Sequence, residues 1–412
     1  MRHARRGTSP GPMLRAAAAC GVLLLASCAP ASLSASGQTR SDLLYVADRT
    51  AGTLSLLDGT GQRALGRAVP VGPAPSLLAT GTGGRALVSS SDPEQQGRVS
   101  LLEPIKPAGW NVRNVALEQG ARVRLIAGAG DVAGVVYAPA AQPQASTFAA
   151  AVTRMGRAEE GGPCELALID LRRGAVVAHH PLCGPGDLPT GLALDRSAGG
   201  PLAYVALWSA SSEDARGQRV PASARIIALR ADTGTTITTT PLEGLPRPAV
   251  LGGALTLAPG PGGPHLYAVT AYPGTLWGRW SEAEYLVHFW TSGEWRLERF
   301  EVGTVEPEAR FTLRHAPVWL GVAPDGAAAY ALDGRGTTRA GSQLYEIDLA
   351  SGASNPLLAV PVITSGGLAV TRDRVYVADP DTGTVWVVDR HLRRVERGVP
   401  FGRSPSAIVP LG

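Results

Sequence analysis

The chain has 412 residues, of which 44% are hydrophobic, 5% aromatic and 17% charged, and it contains 51 glycines and 33 prolines. Its formal net charge of +4 comes from its start, because residues 1–27 hold four arginines and no acid and leave 34 basic and 34 acidic residues in the remainder. A nucleic-acid-binding domain carries its basic excess in the folded part, so this balance argues against a nucleic-acid partner. Abundant Gly and Pro favour many short strands joined by tight turns.

Residues 1–27 have the pattern of a signal peptide. A cationic start precedes the apolar stretch from Ala16 to Leu25, which is too short to span a bilayer. The sequence Leu25-Ala26-Ser27-Cys28 resembles the bacterial lipobox. The resemblance implies that Cys28 is acylated and becomes the first residue of the mature chain. Ordinary secretory cleavage with a chance cysteine is the alternative, and Cys20 is the weaker lipidation candidate. Residues 28–42 are small and polar, which predicts a flexible tether.

Two further cysteines, Cys164 and Cys183, flank one predicted hairpin. Export would place them in an oxidising compartment. A two-residue turn at Arg173-Gly174 would put the two cysteines directly opposite each other on antiparallel strands, within the distance that a disulfide needs. We therefore predict a structural disulfide; two free thiols are the alternative, and a redox-active pair lacks the Cys-x-x-Cys motif.

A repeat is visible when two segments are aligned: "YVADRTAGTLSLLD" (45–58) and "YVADPDTGTVWVVD" (376–389) match without a gap. Each reads as a strand, a turn with Gly, and a second strand with period-two alternation. Asp48 and Asp379 follow the Tyr-Val-Ala strand and are expected to accept backbone hydrogen bonds in the turn. An apolar strand precedes the unit and a fourth strand follows it.

Equivalent second strands recur near residues 45, 87, 137, 204, 267, 330 and 376. Seven four-stranded antiparallel units of this kind predict an all-β, seven-bladed β-propeller over residues 43–412. The first unit lacks its own first strand, and "SPSAIVPLG" (404–412) matches "APSLLATG" (74–81). We therefore predict that the C-terminal strand completes blade 1 and closes the ring, since an open ring would expose unpaired strand edges.

The chain resembles the YVTN-repeat propellers, a bacterial extracytoplasmic family, through "YVAD" at Tyr45 and Tyr376, "YVAL" at Tyr204, and the altered forms "YAVT" and "YALD". The resemblance covers about residues 43–412. It implies the fold, whereas such propellers serve many tasks. Its "DTG" turns are similar to those of quinoprotein dehydrogenases, but the tryptophan-docking pattern of those enzymes is missing, so no quinone and no other cofactor is predicted.

The predicted topology puts the connections between second and third strands on the same face as the connections between blades. In blades 3 to 6 the former are long, at about residues 139–163, 208–223, 271–284 and 333–342. We call this face the insertion face and take it as the candidate binding surface, since binding residues tend to lie on loops held by a rigid scaffold; neutral drift in loop length is the alternative.

Aromatic and basic residues single out parts of the insertion face. Trp277 and Trp280 lie in the blade 5 insertion and could cover a sugar ring or an apolar partner patch, or fold back as a loop core. In the same blade, a turn at Ser292-Gly293 would pair Trp290 with Trp295. Basic residues near the channel mouth could attract an anion or could be solvated rim charges; they are Arg247, Arg314, His315 and Arg403.

Three functions remain open on these grounds. The leading hypothesis is a lipid-anchored, non-enzymatic propeller that binds a protein or a glycan at the cell envelope. The second is a lactonase-like or other hydrolase at the channel mouth, and the third is a structural subunit of an envelope complex. No catalytic residue is predicted, because the sequence has no recognisable Ser-His-Asp arrangement or Walker loop, and no metal site is predicted, because His179 and His180 lack further ligands at metal spacing.

Overall fold

A computed structural model of the chain describes residues 43–58, 64–90, 98–105, 109–118, 120–139, 163–184, 187–196, 199–213, 219–243, 245–246, 255–260, 262–272, 294–313, 317–333, 342–362 and 366–411. The strands of the first half are β1 (Leu43–Asp48), β2 (Thr53–Asp58), β3 (Ala64–Pro70), β4 (Pro75–Thr80), β5 (Ala86–Ser90), β6 (Arg98–Ile105), β7 (Gly109–Ala116), β8 (Arg122–Ala129), β9 (Val132–Ala138), β10 (Cys164–Asp170), β11 (Ala175–Cys183), β12 (Asp187–Asp195), β13 (Leu202–Glu213), β14 (Arg219–Arg230) and β15 (Thr236–Leu242).

The strands of the second half are β16 (Leu245–Pro246), β17 (Leu255–Gly260), β18 (Gly263–Tyr272), β19 (Glu294–Glu301), β20 (Pro307–Leu313), β21 (Pro317–Val322), β22 (Ala328–Asp333), β23 (Ser342–Asp348), β24 (Ser354–Val360), β25 (Gly367–Val370), β26 (Arg374–Asp379), β27 (Thr384–Asp389), β28 (Arg394–Pro400) and β29 (Pro405–Pro410). One short 3-10 turn, Thr82–Gly84, lies between β4 and β5.

These strands form seven antiparallel sheets, which are the blades of a β-propeller. Blades 2, 3, 4, 6 and 7 consist of four consecutive strands each. In blade 5 the first strand is divided into β16 and β17, both of which pair with β18. The all-β seven-bladed architecture predicted from the sequence is therefore confirmed.

Blade 1 is completed by the end of the chain, as predicted. Strand β29 pairs antiparallel with β1, and Ile408 lies opposite Val46. The backbone N–H of Leu411 donates to the carbonyl of Leu43 (2.7 Å). The innermost strands contact one another around the ring, with β29 between β25 and β4. The inner edge of β1 is therefore paired, and blade 1 has its four strands.

The core lies between adjacent blades. The buried clusters combine residues of neighbouring sheets; in one of them Leu44 and Val46 of blade 1 pack with Tyr376 and Val385 of blade 7. Both faces of each second strand are buried, and β22 is buried at every residue. This explains why these strands read as continuous apolar runs in the sequence, with no simple alternation.

The cysteine prediction is confirmed, although the turn that led to it is wrong. Cys164 and Cys183 form a disulfide with a Cα–Cα distance of 4.8 Å. Near the turn, Asp170 pairs with Ala175, so the turn is longer than predicted and spans 171–174. Between this turn and the two cysteines the strand register shifts twice, and Val177 and Leu182 have no partner on the opposite strand. These two bulges restore the register that brings the cysteines together.

Two predicted loops need correction. Residues 208–213 and 219–223 continue β13 and β14, so the blade 4 connection is mainly an extended hairpin whose last paired residues are Glu213 and Arg219. In blade 5, Trp295 pairs with Ala271 on one side and Leu313 on the other. Both strand positions beside Trp295 are therefore occupied, and the predicted pairing with Trp290, which lies outside the described residues, is wrong.

Candidate functional site

The insertion face differs from the opposite face in the length of its connections. On the insertion face, the segment 139–163 separates β9 from β10, the segment 273–293 separates β18 from β19, and the segment 334–341 separates β22 from β23. On the opposite face, the longest connection between described strands is 196–201, from β12 to β13. Long segments therefore start and end on one side of the disc, as predicted for blades 3, 5 and 6.

Most of the predicted site residues lie outside the part of the chain that the structure describes. These are Cys28, Arg247, Trp277, Trp280, Arg314 and His315. Arg403 is described, and it is exposed in the connection from blade 7 to blade 1. The structure therefore places one member of the predicted basic group on the insertion face.

Arg403 is positioned by the carboxylate of Asp48. This carboxylate is buried (4% exposed) and accepts hydrogen bonds from the backbone N–H groups of Thr50 (3.0 Å), Ala51 (2.9 Å) and Arg403 (2.8 Å). The neighbouring position must be glycine, since a Cβ atom on Gly402 would lie 2.1 Å from the Asp48 carboxylate. Asp48 therefore fixes both the turn of blade 1 and the entry of the closing strand.

Arg49 is the second described arginine at this corner. Its backbone N–H donates to the carbonyl of Ser404 (2.8 Å), which places it beside Arg403. Both residues are exposed. Two guanidinium groups on adjacent backbone segments raise the local positive potential of the insertion face. Arg49 was not among the predicted site residues, although it directly follows the "YVAD" motif in the sequence.

The equivalent aspartate of blade 7 behaves in the same way. The Asp379 carboxylate accepts hydrogen bonds from the backbone N–H groups of Asp381 (3.1 Å) and Thr382 (3.3 Å) and from the Thr382 hydroxyl (2.6 Å). It also lies 3.3 Å from the indole nitrogen of Trp386, which donates to it. The turn-stabilising role predicted for Asp48 and Asp379 is therefore confirmed.

A polar corner surrounds the disulfide between blades 3 and 4. The buried Asp187 accepts hydrogen bonds from Arg225 (2.8 Å) and from the backbone N–H of Gly184 (2.9 Å), which directly follows Cys183. Arg225 also donates to the hydroxyl of Ser209 (2.5 Å). The disulfide and this ion pair together hold the exit of blade 3 against the base of the extended blade 4 hairpin.

On the opposite face, the tyrosine of the repeat motif links each of three blades to the next. The Tyr45 hydroxyl donates to the carbonyl of Gly84 in blade 2. The Tyr204 hydroxyl accepts from the backbone N–H of Gly303 in blade 5 (2.9 Å), and the Tyr330 hydroxyl accepts from Arg390 in blade 7 (2.9 Å). Burial raises the pKa of Tyr204 and of Tyr330 to about 12. The motif residue is therefore a structural contact between blades.

Arg390 makes a deeply buried contact of this kind. Its side chain is 7% exposed, it lies over the Tyr330 ring with 5.2 Å to the centroid, and it donates to the carbonyl of Thr371 (2.9 Å). Asp325 lies 3.5 Å away. A guanidinium group that is stacked and hydrogen-bonded in this way joins blade 6 to blade 7.

A larger charged group joins blades 2, 3 and 4 on the same face. The carboxylate of Asp131 accepts from the hydroxyl of Thr82 and forms ion pairs with Arg172 (2.6 Å) and Arg196 (2.9 Å). Arg85 is 3.9 Å away. The hydrogen bonds from Thr82, Arg172 and Arg196 hold the pKa of Asp131 well below its usual range. No sequence motif pointed to this group, because its members lie on three different blades.

The described residues lack two features that would point to a particular function. No group of three or more His, Cys, Asp or Glu side chains in these ranges is arranged to hold a metal ion. No helix in the same ranges is both long and apolar enough to cross a membrane.

Comparison with known proteins supports the fold. No protein-family model matches the chain, and no curated protein matches its sequence. Among solved structures, a functionally unknown protein from Desulfotomaculum acetoxidans is 11% identical, with a TM-score of 0.55 and coverage of 90% of this chain and 99% of that chain. Hydrazine synthase from Kuenenia stuttgartiensis is 14% identical, with a TM-score of 0.54 and coverage of 85% of this chain and 93% of that chain.

A candidate 6-phosphogluconolactonase from Bacteroides uniformis is also similar. It is 14% identical, with a TM-score of 0.53 and coverage of 89% of this chain and 98% of that chain. At this level of identity the likeness shows the propeller fold alone, because one fold supports many unrelated activities.

Proposed function

We propose that this protein is a lipid-anchored, extracytoplasmic β-propeller that binds an envelope protein or a glycan through its insertion face. The observation that carries the proposal is the asymmetry of the disc. The long segments 139–163 and 273–293 leave one face in blades 3 and 5, whereas the longest connection between described strands on the other face is 196–201. Loops on a rigid scaffold are where proteins place binding residues.

The disulfide supports the extracytoplasmic part of the proposal. Disulfides persist in oxidising compartments and are rare in the cytosol. Cys164 and Cys183 are bonded, and both are buried. This agrees with the signal peptide and the lipobox-like Cys28 read from the sequence.

The anchor is tested by membrane fractionation of a Cys28→Ala variant. We expect the variant to leave the membrane fraction during a high-salt wash, because the acylated side chain is lost and salt screens any attraction between charges. Cys20→Ala is the matched control and is expected to stay with the membranes. A Cys28→Ala protein that still sediments with salt-washed membranes would contradict the anchor.

The binding face is tested by photo-crosslinking in cells. Benzoylphenylalanine at position 277, in the blade 5 insertion, is expected to give a discrete adduct with a protein partner. The control is the same group at Leu392, which is 59% exposed on the opposite face. For a glycan ligand, we expect purified peptidoglycan to retain the protein and a Trp277→Ala, Trp280→Ala variant to be released. Failure of both experiments would overturn the proposal.

The hydrolase alternative rests on the same fold, since propellers support both binding and catalysis. It differs in requiring a reactive group at the channel mouth. Metal analysis of the purified protein, together with a screen of lactones and esters, separates the two functions: turnover that is lost when the channel mouth is altered would favour the hydrolase.

A further inference from the structure

The chain enters the propeller on the opposite face. Strand β1 runs toward the insertion face, where the turn 49–52 joins it to β2, so its first residue, Leu43, lies on the other side of the disc. The Leu43 carbonyl is held there by the N–H of Leu411 (2.7 Å). Every residue before 43, including Cys28, is therefore connected to the propeller through the opposite face.

The entry point adjoins the charged group around Asp131. The turn Thr82–Gly84 lies between them. On one side of the turn, Gly84 is so close to Leu411 that a Cβ atom on Gly84 would come within 3.7 Å of the Leu411 side chain. The Tyr45 hydroxyl donates to the carbonyl of Gly84. On the other side of the turn, the Thr82 hydroxyl donates to Asp131. The start of β1 and the charged group thus share one region of the face.

Arginines outnumber acids in this region. We define the arginine cluster as these five residues: Arg85, Arg113, Arg172, Arg173 and Arg196. Three acids pair with them, and they are Glu103, Asp131 and Asp170. Two positive charges remain in excess over these three partners, and one remains when the buried Asp195, which directly precedes Arg196, is included.

The cluster presents its charge to solvent. The side chains of Arg172, Arg173 and Arg196 are 68%, 78% and 52% exposed. Asp131 cannot neutralise all of its neighbours, since one carboxylate is shared among Arg85, Arg172 and Arg196. Exposed guanidinium groups with unmatched charge suit a surface of phosphate groups, to which they donate two hydrogen bonds at once.

We infer that the opposite face is the membrane-proximal face of the anchored protein, and that the arginine cluster contacts anionic phospholipid headgroups. The inference rests on the proposed lipid anchor, and it adds the orientation of the propeller and a second contact with the bilayer. The insertion face then points away from the anchoring membrane, toward its ligand.

Charge on the opposite face predicts a tilt. Across blades 5 and 6 the exposed side chains include acids, namely Glu301, Glu306, Asp325 and Asp348. An anionic surface repels this side and attracts the arginine cluster across blades 2 to 4. The propeller therefore lies with blades 2 to 4 closer to the headgroups than blades 5 and 6.

The test is vesicle binding by the mature chain, residues 28–412 with Cys28→Ala, to which neither a lipid nor the cationic, apolar segment 1–27 contributes. We expect it to sediment with phosphatidylcholine vesicles that contain phosphatidylglycerol, to ignore pure phosphatidylcholine, and to be released by salt. Replacing Arg172 and Arg173 together by Gln should weaken binding roughly 10- to 30-fold, since each arginine near the surface contributes about a fivefold factor.

The matched control is a double Arg→Gln variant at Arg49 and Arg403, which makes the same change in charge on the insertion face. It should bind the anionic vesicles as the parent does. Thermal unfolding checks that both variants are folded; Arg196 still pairs with Asp131 in the first of them.

Three results would overturn the inference. The first is binding that does not depend on anionic lipid, whether the protein binds both kinds of vesicle equally or binds neither. The second is an equal loss of binding in the two double variants. The third is retention on immobilised heparin without vesicle binding, which would assign the cluster to a polyanionic glycan. These outcomes are separable from failure of the proposed function, because fractionation of Cys28→Ala after a salt wash and crosslinking from position 277 are measured independently.

Discussion

The two faces of the disc differ in the length of their connections and in the contacts that their turns make. On the opposite face, long side chains reach from one blade to the next, as when Arg390 bonds the Tyr330 hydroxyl or Arg196 pairs with Asp131. Carboxylates cap turns on both faces, since Asp48 accepts backbone N–H groups on the insertion face and Asp170 accepts those of Arg172 and Arg173 on the opposite face. What differs is length, because the long connections between described strands, such as the segment 139–163, leave the insertion face. A turn on the opposite face that must meet the next blade through a side chain has a restricted length.

The largest effect is expected on the opposite face from Arg390→Ala. The change leaves the Tyr330 hydroxyl and the Thr371 carbonyl without their donor and opens space over the Tyr330 ring, so we expect the free energy of unfolding to fall by about 4 kcal/mol. Urea denaturation measures it. Arg393→Ala, whose side chain is 47% exposed beside Glu346, is the control and should cost less than about 1 kcal/mol. Equal losses would mean that burial of Arg390 contributes nothing.

The insertion face has one covalent constraint to compare with it. Replacing Cys164 and Cys183 by Ser removes a cross-link over a sequence separation of 19 and should lower the free energy of unfolding by about 3 kcal/mol. Reduction of the wild-type protein should lower its stability to that of the double variant. A double variant as stable as the oxidised protein would show that Asp187 and Arg225 hold this corner without the disulfide.

The smallest loss of stability is expected from Asp131→Asn, which removes the charge that Arg172 and Arg196 share. Asp131→Asn should cost about 2 kcal/mol at neutral pH. Because the folded-state pKa of Asp131 is depressed, its stabilisation is fully present above the unfolded pKa of about 3.9 and is lost as the pH falls toward the folded pKa. The difference between variant and wild type should therefore shrink below about pH 4.

Asp232→Asn is the control for this change, since Asp232 lies on the same face beside Arg230 at 3.5 Å and is 43% exposed. It should alter stability by less than about 1 kcal/mol. Asp131→Asn also adds one positive charge to the arginine cluster, so it should bind anionic vesicles about fivefold more tightly while it is less stable. A variant that loses both stability and vesicle binding would contradict the membrane orientation.

Much of the candidate surface was accessible from the sequence. The recurring Tyr-Val-Ala-Asp units located the second strands, and because the connections of a propeller alternate between two faces, they also located the insertion face. The capping role of Asp48 followed from its place after a strand and before a Gly-bearing turn. By contrast, the paths of the long connections on this face could not be predicted, because their composition does not specify a backbone conformation.

The contacts on the opposite face were not accessible in this way. Asp131, Arg172 and Arg196 are far apart in the chain and lie on turns with no shared motif. They meet because consecutive blades stack their turns at the same height around the axis. The register of the Cys164–Cys183 hairpin shows the same limit, since its two bulges compensate for a longer turn than the one read from Arg173-Gly174.

The sequence by itself determined the number of blades and the closing strand, because strand alternation and repeated turns are local patterns that depend on a few neighbouring residues. Only the tertiary structure decided which charges meet and which face carries the entry of the chain. Those properties depend on how seven sheets pack around one axis, and that packing brings together side chains whose positions in the chain are unrelated.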